Sequence, residues 1–226
     1  MTQRENWLSL MGRKGYEFAP VFFFLCPHQV EEYKKKTGSN LPFEDYFEFP
    51  NRMIPVVQPS ERKSPVDWKK FYSYDLDPEV KFNGWGVAHE PGGEAAKHMT
   101  RMRHPMAEFN SLEQFESYPW PDYSKIDVEP LRRSCDQIKS AGNLPEAHMA
   151  MTVWETSWYL RSMEELMVDM LSEDEKAVYL LDKVTEISCM KIAAYARAGV
   201  DHIHIGDDVG MQKSLMMSEE MYRVWL

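Results

Sequence analysis

The stretch GVDHIHIGDDVG, residues 199–210, decides how this chain is read. A helical pattern stops at Gly199, the short alternation VDHIHI follows, and two aspartates framed by Gly206 and Gly210 close it. Side chains alternate along a strand, so His202 and His204 share one face and Ile203 and Ile205 the other. Continued alternation would bring Asp208 to the histidine face, with Gly206 leaving open space between them. Burying several ionisable groups is costly unless they are paired or used. Parallel α/β sheets gather their sites at the carboxyl ends of strands. His202, His204, Asp207 and Asp208 are therefore the most site-like group in the chain. Other readings stay open. A His-x-His pair binds zinc only with a further ligand, it can be interior packing with satisfied hydrogen bonds, and paired aspartates can form a turn or cap the next segment.

Working outward, Ala177, Leu180, Leu181, Val184, Ile187 and Ala194 recur at helical spacing upstream of Gly199, which predicts a helix over 173–197. Helices are also predicted over 3–13, 29–36, 127–140 and 162–171, and after Ser218. Capping-box patterns stand at Ser111–Gln114, Ser162–Glu165 and Ser172–Glu175. APVFFFL (19–25) is a continuous apolar run of strand length, as expected of a strand buried on both faces. AHMAMTVW (147–154) and VDHIHI (200–205) read as further strands; VKFNGWGVAHE (80–90) holds strand-like pieces around Asn83-Gly84, a hairpin-turn signal, and HMTRMRHP (98–105) reads as another short strand. Residues 40–78 predict loops and short helices. Strand and helix alternate at 19–36 and from 147 onward, which argues for α/β architecture with parallel strands.

The chain has 226 residues, 43% hydrophobic and 27% charged, with a formal charge of −10. That composition is globular, and the charge opposes nucleic-acid binding, which needs clustered Lys and Arg. The start is polar and the run Phe18–Cys26 is about half a membrane span, so a cytoplasmic protein without a membrane partner is expected. Cys26, Cys135 and Cys189 form no CxxC pair and suggest neither a disulfide framework nor a zinc knuckle. Cys26 and His28 flank a proline after the first apolar run; packing is expected of the thiol and pocket lining of the imidazole. TVWETSWYLRS (152–162) offers Glu155, Trp158, Tyr159 and Arg161 as a substrate wall, against the plainer reading of aromatic core with an exposed charge.

Four stretches together resemble the uroporphyrinogen decarboxylase superfamily, whose members include porphyrinogen decarboxylases and corrinoid-dependent methyltransferases. They are APVFFF; FNGWGVAHEPGGE with RHPMAEFNSLEQFESYPWPD; MTVWETSWYLRSMEELMVDML; and GVDHIHIGDDVGMQKSLMMSEEMYRVWL. The resemblance is nearest to the methyltransferase-like branch. It implies a TIM (β/α)8 barrel forming one domain over 1–226, seen here as an N-terminal portion of about five strands. The final SEEMYRVWL breaks off within an amphipathic helix, so the chain is expected to be incomplete at its C-terminus, with exposed edges that favour self-association, for instance as a homodimer.

The resemblance also implies a site. Asp207, Asp208 and Tyr159 would be catalytic, and His28, His204, Glu155 and Trp158 would bind substrate. Where the decarboxylases carry an arginine-rich stretch after the first strand, this chain reads LCPHQV (25–30); where they have aspartate-serine, it has Asp207-Asp208. Losing arginines and gaining a carboxylate disfavours a substrate with several carboxylates. The expectation is methyl transfer from a small molecule with a corrinoid protein as partner. Zinc is the cofactor of some relatives, with His202 and His204 as weak candidate ligands. Porphyrinogen decarboxylation, as in porphyrin biosynthesis, and a non-catalytic barrel fragment are the alternatives.

Overall fold

The computed structural model describes residues 1–62, 64–92 and 100–226. It is a mixed α/β structure with two small sheets. In chain order the elements begin with α1 (Gln3–Met11), α2 (Pro27–Thr37), α3 (Phe43–Tyr46), β1 (Asn51–Met53), β2 (Lys81–Phe82), β3 (Ala88–Pro91) and β4 (Thr100–Arg103). They continue with α4 (Leu112–Glu116), α5 (Glu129–Ser140), β5 (Leu144–Met149), α6 (Trp154–Arg161), α7 (Met163–Leu171), α8 (Glu175–Ala198), β6 (His202–Ile205) and α9 (Glu219–Trp225).

The chain divides into two compact units, each assembled from three separated stretches. The first comprises Met1–Val57, Asp127–His148 and Ala193–His204. Its framework is the sheet β1-β5-β6. β1 and β5 are parallel, with Asn51 opposite Leu144 and Met53 opposite Glu146. Asp201 N donates to Pro145 O at 3.1 Å and Gly206 N to Met149 O at 3.2 Å, so β5 and β6 also advance in the same sense. Between β5 and β6 run three helices, the crossover that parallel strands require. α1 is tied to the start of β6 by Arg4, whose guanidinium donates to both oxygens of Asp201 at 2.6 and 3.0 Å. Lys139 of α5 approaches the same carboxylate at 3.7 Å.

The second unit comprises Gln58–Ile126, Met149–Ile192 and Ile205–Leu226. Its core joins Trp154, Leu160, Leu166, Met170, Leu180 and Val184 from the helices with Val87, Met106, Phe115 and Tyr118 from the segment before them. The helical stripe read from Ala177 to Val184 is thus its inner face. β2, β3 and β4 form an antiparallel sheet, Lys81 opposite His89 and Ala88 opposite Arg103. The Asn83 side chain organises the hairpin, accepting from Trp85 N at 2.9 Å and Val87 N at 3.1 Å. The connection is a five-residue loop, Asn83–Val87, rather than a two-residue turn. Gly86 needs its φ of +84°, and a Cβ there would run into the Trp68 ring and the Tyr118 hydroxyl.

Several expectations change. APVFFFL forms no strand: Phe24 is 63% exposed, and the run lies along α3 and its neighbours through aromatic contacts, Phe23 to Phe49 at 4.7 Å and Phe23 to Phe47 at 5.1 Å. Continuous apolarity marked aromatic clustering here, not a sheet ladder. The strand expected over 147–154 starts and ends earlier, at Leu144–Met149, and Trp154 opens a helix that the apolar run concealed. β1 lies inside 40–78, where only loops and short helices were expected. Ser172 does not cap α8; Asp174 does, accepting from Lys176 N at 2.9 Å, while Ser172 turns its hydroxyl back on Val168 O at 2.8 Å. Residues 98 and 99 of the expected strand 98–105 lie outside the described residues; β4 holds the rest of its core. No helix among the described residues is long and apolar enough to cross a membrane.

Candidate functional site

In the first unit, the odd residues of β1 and the even residues of β5 and β6 share one face of the parallel sheet. Besides Leu144 and Met53, that face carries a row of polar side chains. Glu146, 2% exposed, accepts from Asn51 Nδ2 at 3.1 Å and holds His202 Nδ1 at 2.6 Å on the same oxygen. One position further along, the rings of His148 and His204 meet edge-on with centroids 4.8 Å apart, and His202 and His204 lie 6.4 Å apart. Trp7 of α1 flanks His202 at 5.6 Å, and Phe24 stacks on His148 at 6.0 Å. A carboxylate bound to Nδ1 fixes the imidazole's orientation and leaves Nε2 pointing away from it. Asn51, 5% exposed, has no partner for its Oδ1. Buried acceptors without partners are rare.

His202 and His204 therefore share a face as their spacing predicts, and β5 supplies what the sequence reading overlooked: Glu146 and His148. The signal was present, because Glu146 and His148 stand two residues apart in a strand whose alternate positions, Pro145, Ala147 and Met149, are buried. His28 is elsewhere in this unit. It is exposed in the first turn of α2, on a groove shared with Phe23, Tyr33 and Phe47. Cys26 is exposed at the N-cap of α2 and not packed as expected. Cys135 is buried and Cys189 exposed. Among the described residues, no group of three or more His, Cys, Asp or Glu could hold a metal ion. His202, with Nδ1 held by Glu146, keeps Nε2 free as a zinc-ligating histidine would, but among the described residues His202 and His204 lack the further ligand that zinc needs.

In the second unit, the loop after β6 meets the start of α6. Asp207 accepts from Thr152 Oγ1 at 2.5 Å and from the backbone N–H groups of Thr152, Val153, Trp154 and Glu155 at 2.7–3.3 Å. Its carboxylate thus caps α6 from a distant part of the chain, the structural alternative that the sequence left open. Gly206 does not border open space; a Cβ there would stand 3.3 Å from Ala150 O. Asp208 is exposed and donates its backbone N–H to Glu155 Oε2 at 3.2 Å. Tyr159, one turn along α6, donates to Glu155 Oε1 at 3.4 Å.

Burial raises the Glu155 carboxyl above the ordinary carboxylate range, with the charges of Asp207 and Asp208 adding to the effect. Burial and the adjacent Glu155 raise the Tyr159 phenol. Glu155, Tyr159 and Asp208 thus form a three-residue acidic group at a helix start. The indole Nε1 of Trp158 is buried without a partner. His104 holds the Tyr159 carbonyl at 2.9 Å through Nδ1, and burial lowers its pKa. Arg161 is no substrate contact: it is 3% exposed, ion-paired with Asp169 at 2.8 Å, and donates to the carbonyls of Met106, Ala107 and Phe109.

Comparison of the chain with family models, with curated proteins and with solved structures gives no match.

Proposed function

We propose that the parallel sheet is an arc of a (β/α)8 barrel of the uroporphyrinogen decarboxylase type, and that the protein is an enzyme that moves a methyl group between a small molecule and a corrinoid carried by a partner protein. The sequence resemblance supplies the class. The observation that carries the choice within it is the sheet face itself: Asn51, Glu146, His148, His202 and His204 present a carboxylate and imidazoles but no arginine or lysine. Such a face suits a small neutral or cationic substrate and repels a porphyrinogen bearing several carboxylates.

Glu155 is the proposed proton donor or acceptor, with Tyr159 and Asp208 beside it; Asp207 positions it by holding the first turn of α6. Within the first unit, His202, oriented by Glu146, and His204 beside it are offered as a polar recognition surface, while His28 lines a separate groove of that unit. No step is routed through zinc.

The test is made on the full gene product. Methylated amines, ethers and thiols are offered with cob(I)alamin, and its methylation is followed in the visible spectrum; uroporphyrinogen is offered in parallel and carbon dioxide measured. Methylation with any donor supports the reading, and Glu155→Gln then lowers kcat about 10²-fold. Decarboxylation without methylation overturns it. Neither reaction from a folded protein overturns it in favour of a binding module.

A further inference from the structure

The hairpin loop of the second unit carries the dipeptide Asn83-Gly84, with Gly84 exposed. In an asparagine-glycine pair the side-chain amide and the next backbone nitrogen can meet, because glycine has no Cβ to shield that nitrogen. Three groups decide whether they react: the nitrogen that attacks, the carbonyl that is attacked and the nitrogen that leaves.

The attacking group is Gly84 N, which donates to no acceptor among the described residues. The carbonyl conjugated with it, Asn83 O, accepts from Gly86 N at 3.0 Å. A hydrogen bond to that oxygen favours the ionised amide, whose charge the oxygen shares. Arg62 adds a cation, with Nη2 at 3.4 Å from Gly84 O. The attacked group is the Asn83 side-chain carbonyl, whose Oδ1 accepts from Trp85 N at 2.9 Å and Val87 N at 3.1 Å. Both donors follow Gly84, so the side chain is turned along the loop, and two fixed N–H groups hold the oxygen on which charge develops when Cγ is attacked. The leaving group is Nδ2, which has no partner among the described residues and is not buried. Asn110-Ser111 is a useful contrast. Asn110 is exposed too, but Ser111 N is occupied, donating to Gln114 Oε1 at 3.1 Å.

We propose that Asn83 is a site of spontaneous covalent modification, closing on Gly84 N to a succinimide that opens to aspartate or isoaspartate. Gly84 N gives its proton to water and bonds to Cγ of Asn83. The Cγ–Nδ2 bond breaks, and Nδ2 takes up a proton and leaves as ammonia. Water then adds to one of the two ring carbonyls. Opening at Cγ yields aspartate, which still offers an oxygen to Trp85 N and Val87 N. Opening at the main-chain carbonyl yields isoaspartate, which routes the backbone through Cγ and lengthens a loop that is tied by Asn83 N to Val87 O at 3.1 Å. The modification is independent of the reaction proposed above.

The full gene product, freshly purified, is incubated at mildly alkaline pH, folded and in guanidinium chloride. Peptides are followed by mass spectrometry, with isoaspartate resolved by chromatography. In the folded protein the peptide bearing Asn83 gains about 1 Da, at least as fast as in the denatured chain, while the peptide bearing Asn110 keeps its mass. Gly84→Ala shields the attacking nitrogen and slows the conversion about tenfold or more. That variant keeps the hairpin, because nothing lies within 4 Å of the added Cβ and the φ of Gly84 is outside the left-handed region; circular dichroism checks it. A folded rate below the denatured one, equal conversion at Asn110 and Asn83, or an unchanged rate in Gly84→Ala overturns the inference.

Discussion

At the scale of single residues, the two aspartates after β6 have separate jobs despite being neighbours. Asp207 spends both carboxylate oxygens on the start of α6. Asp207→Ala is expected to destabilise the protein by about 2 kcal/mol in urea unfolding, with an unchanged m value, because four backbone N–H groups lose their acceptor. Asp208→Ala removes an exposed side chain and is expected to change stability by less than about 0.5 kcal/mol. The difference between the two variants is the measurement that separates cap from surface.

Glu155 makes the pH prediction. Its carboxyl is raised in the folded state, so the fold binds that proton more tightly than the unfolded chain does. Its contribution is complete below the ordinary carboxylate value, about 4.3, and is lost as pH rises through the raised one. Glu155→Gln removes this loss. The Tm of the native protein is therefore expected to fall relative to that of Glu155→Gln as pH is raised from about 4 toward neutral, and parallel Tm profiles would contradict the assignment.

At the scale of elements, the sequence disclosed helices better than strands. α8 was legible because a long apolar stripe and Gly199, at φ +85°, bound it on both sides. β1 is three residues long and its central Arg52 is polar, so no periodicity could announce it. The aromatic run 19–25 misled because packing among phenylalanines and pairing in a sheet demand the same residue types. The histidine pair on β6 was legible from alternation alone. Its partner Glu146 stands two residues from His148 on the same strand face, but that the two strands lie side by side follows from the strand order, which no local pattern encodes.

The join of α6 and α7 carries an element-scale prediction. Arg161 ends α6 with its side chain 4% exposed, and Asp169 of α7 faces it at 7%. Asp169→Ala leaves a buried guanidinium unpaired and is expected to lower stability by about 3–5 kcal/mol. Arg161→Lys should rescue little, because one ammonium cannot reach Asp169 and three carbonyls in the geometry of a guanidinium. In the hairpin loop, Gly86→Ala combines a positive φ with a blocked Cβ, and a loss of more than about 2 kcal/mol in thermal unfolding is expected.

At the scale of the whole molecule, the chain passes between its compact units after residues 57, 126, 148, 192 and 204. Three of those crossings fall within β5, α8 and β6. No single cut can therefore release either unit, and truncated chains ending at 126 or 148 are expected to lack cooperative unfolding in calorimetry, since each omits strands of the parallel sheet.

The hold of Asp207 on α6 has a mechanical side. Five hydrogen bonds weld the loop at 207 to the helix start at 152–155, so the two travel as one piece. Glu155 rides on that piece, and Tyr159 leans on Glu155. A displacement of the loop therefore carries the Glu155 backbone with it, and with that backbone the carboxylate to which the Tyr159 phenol donates.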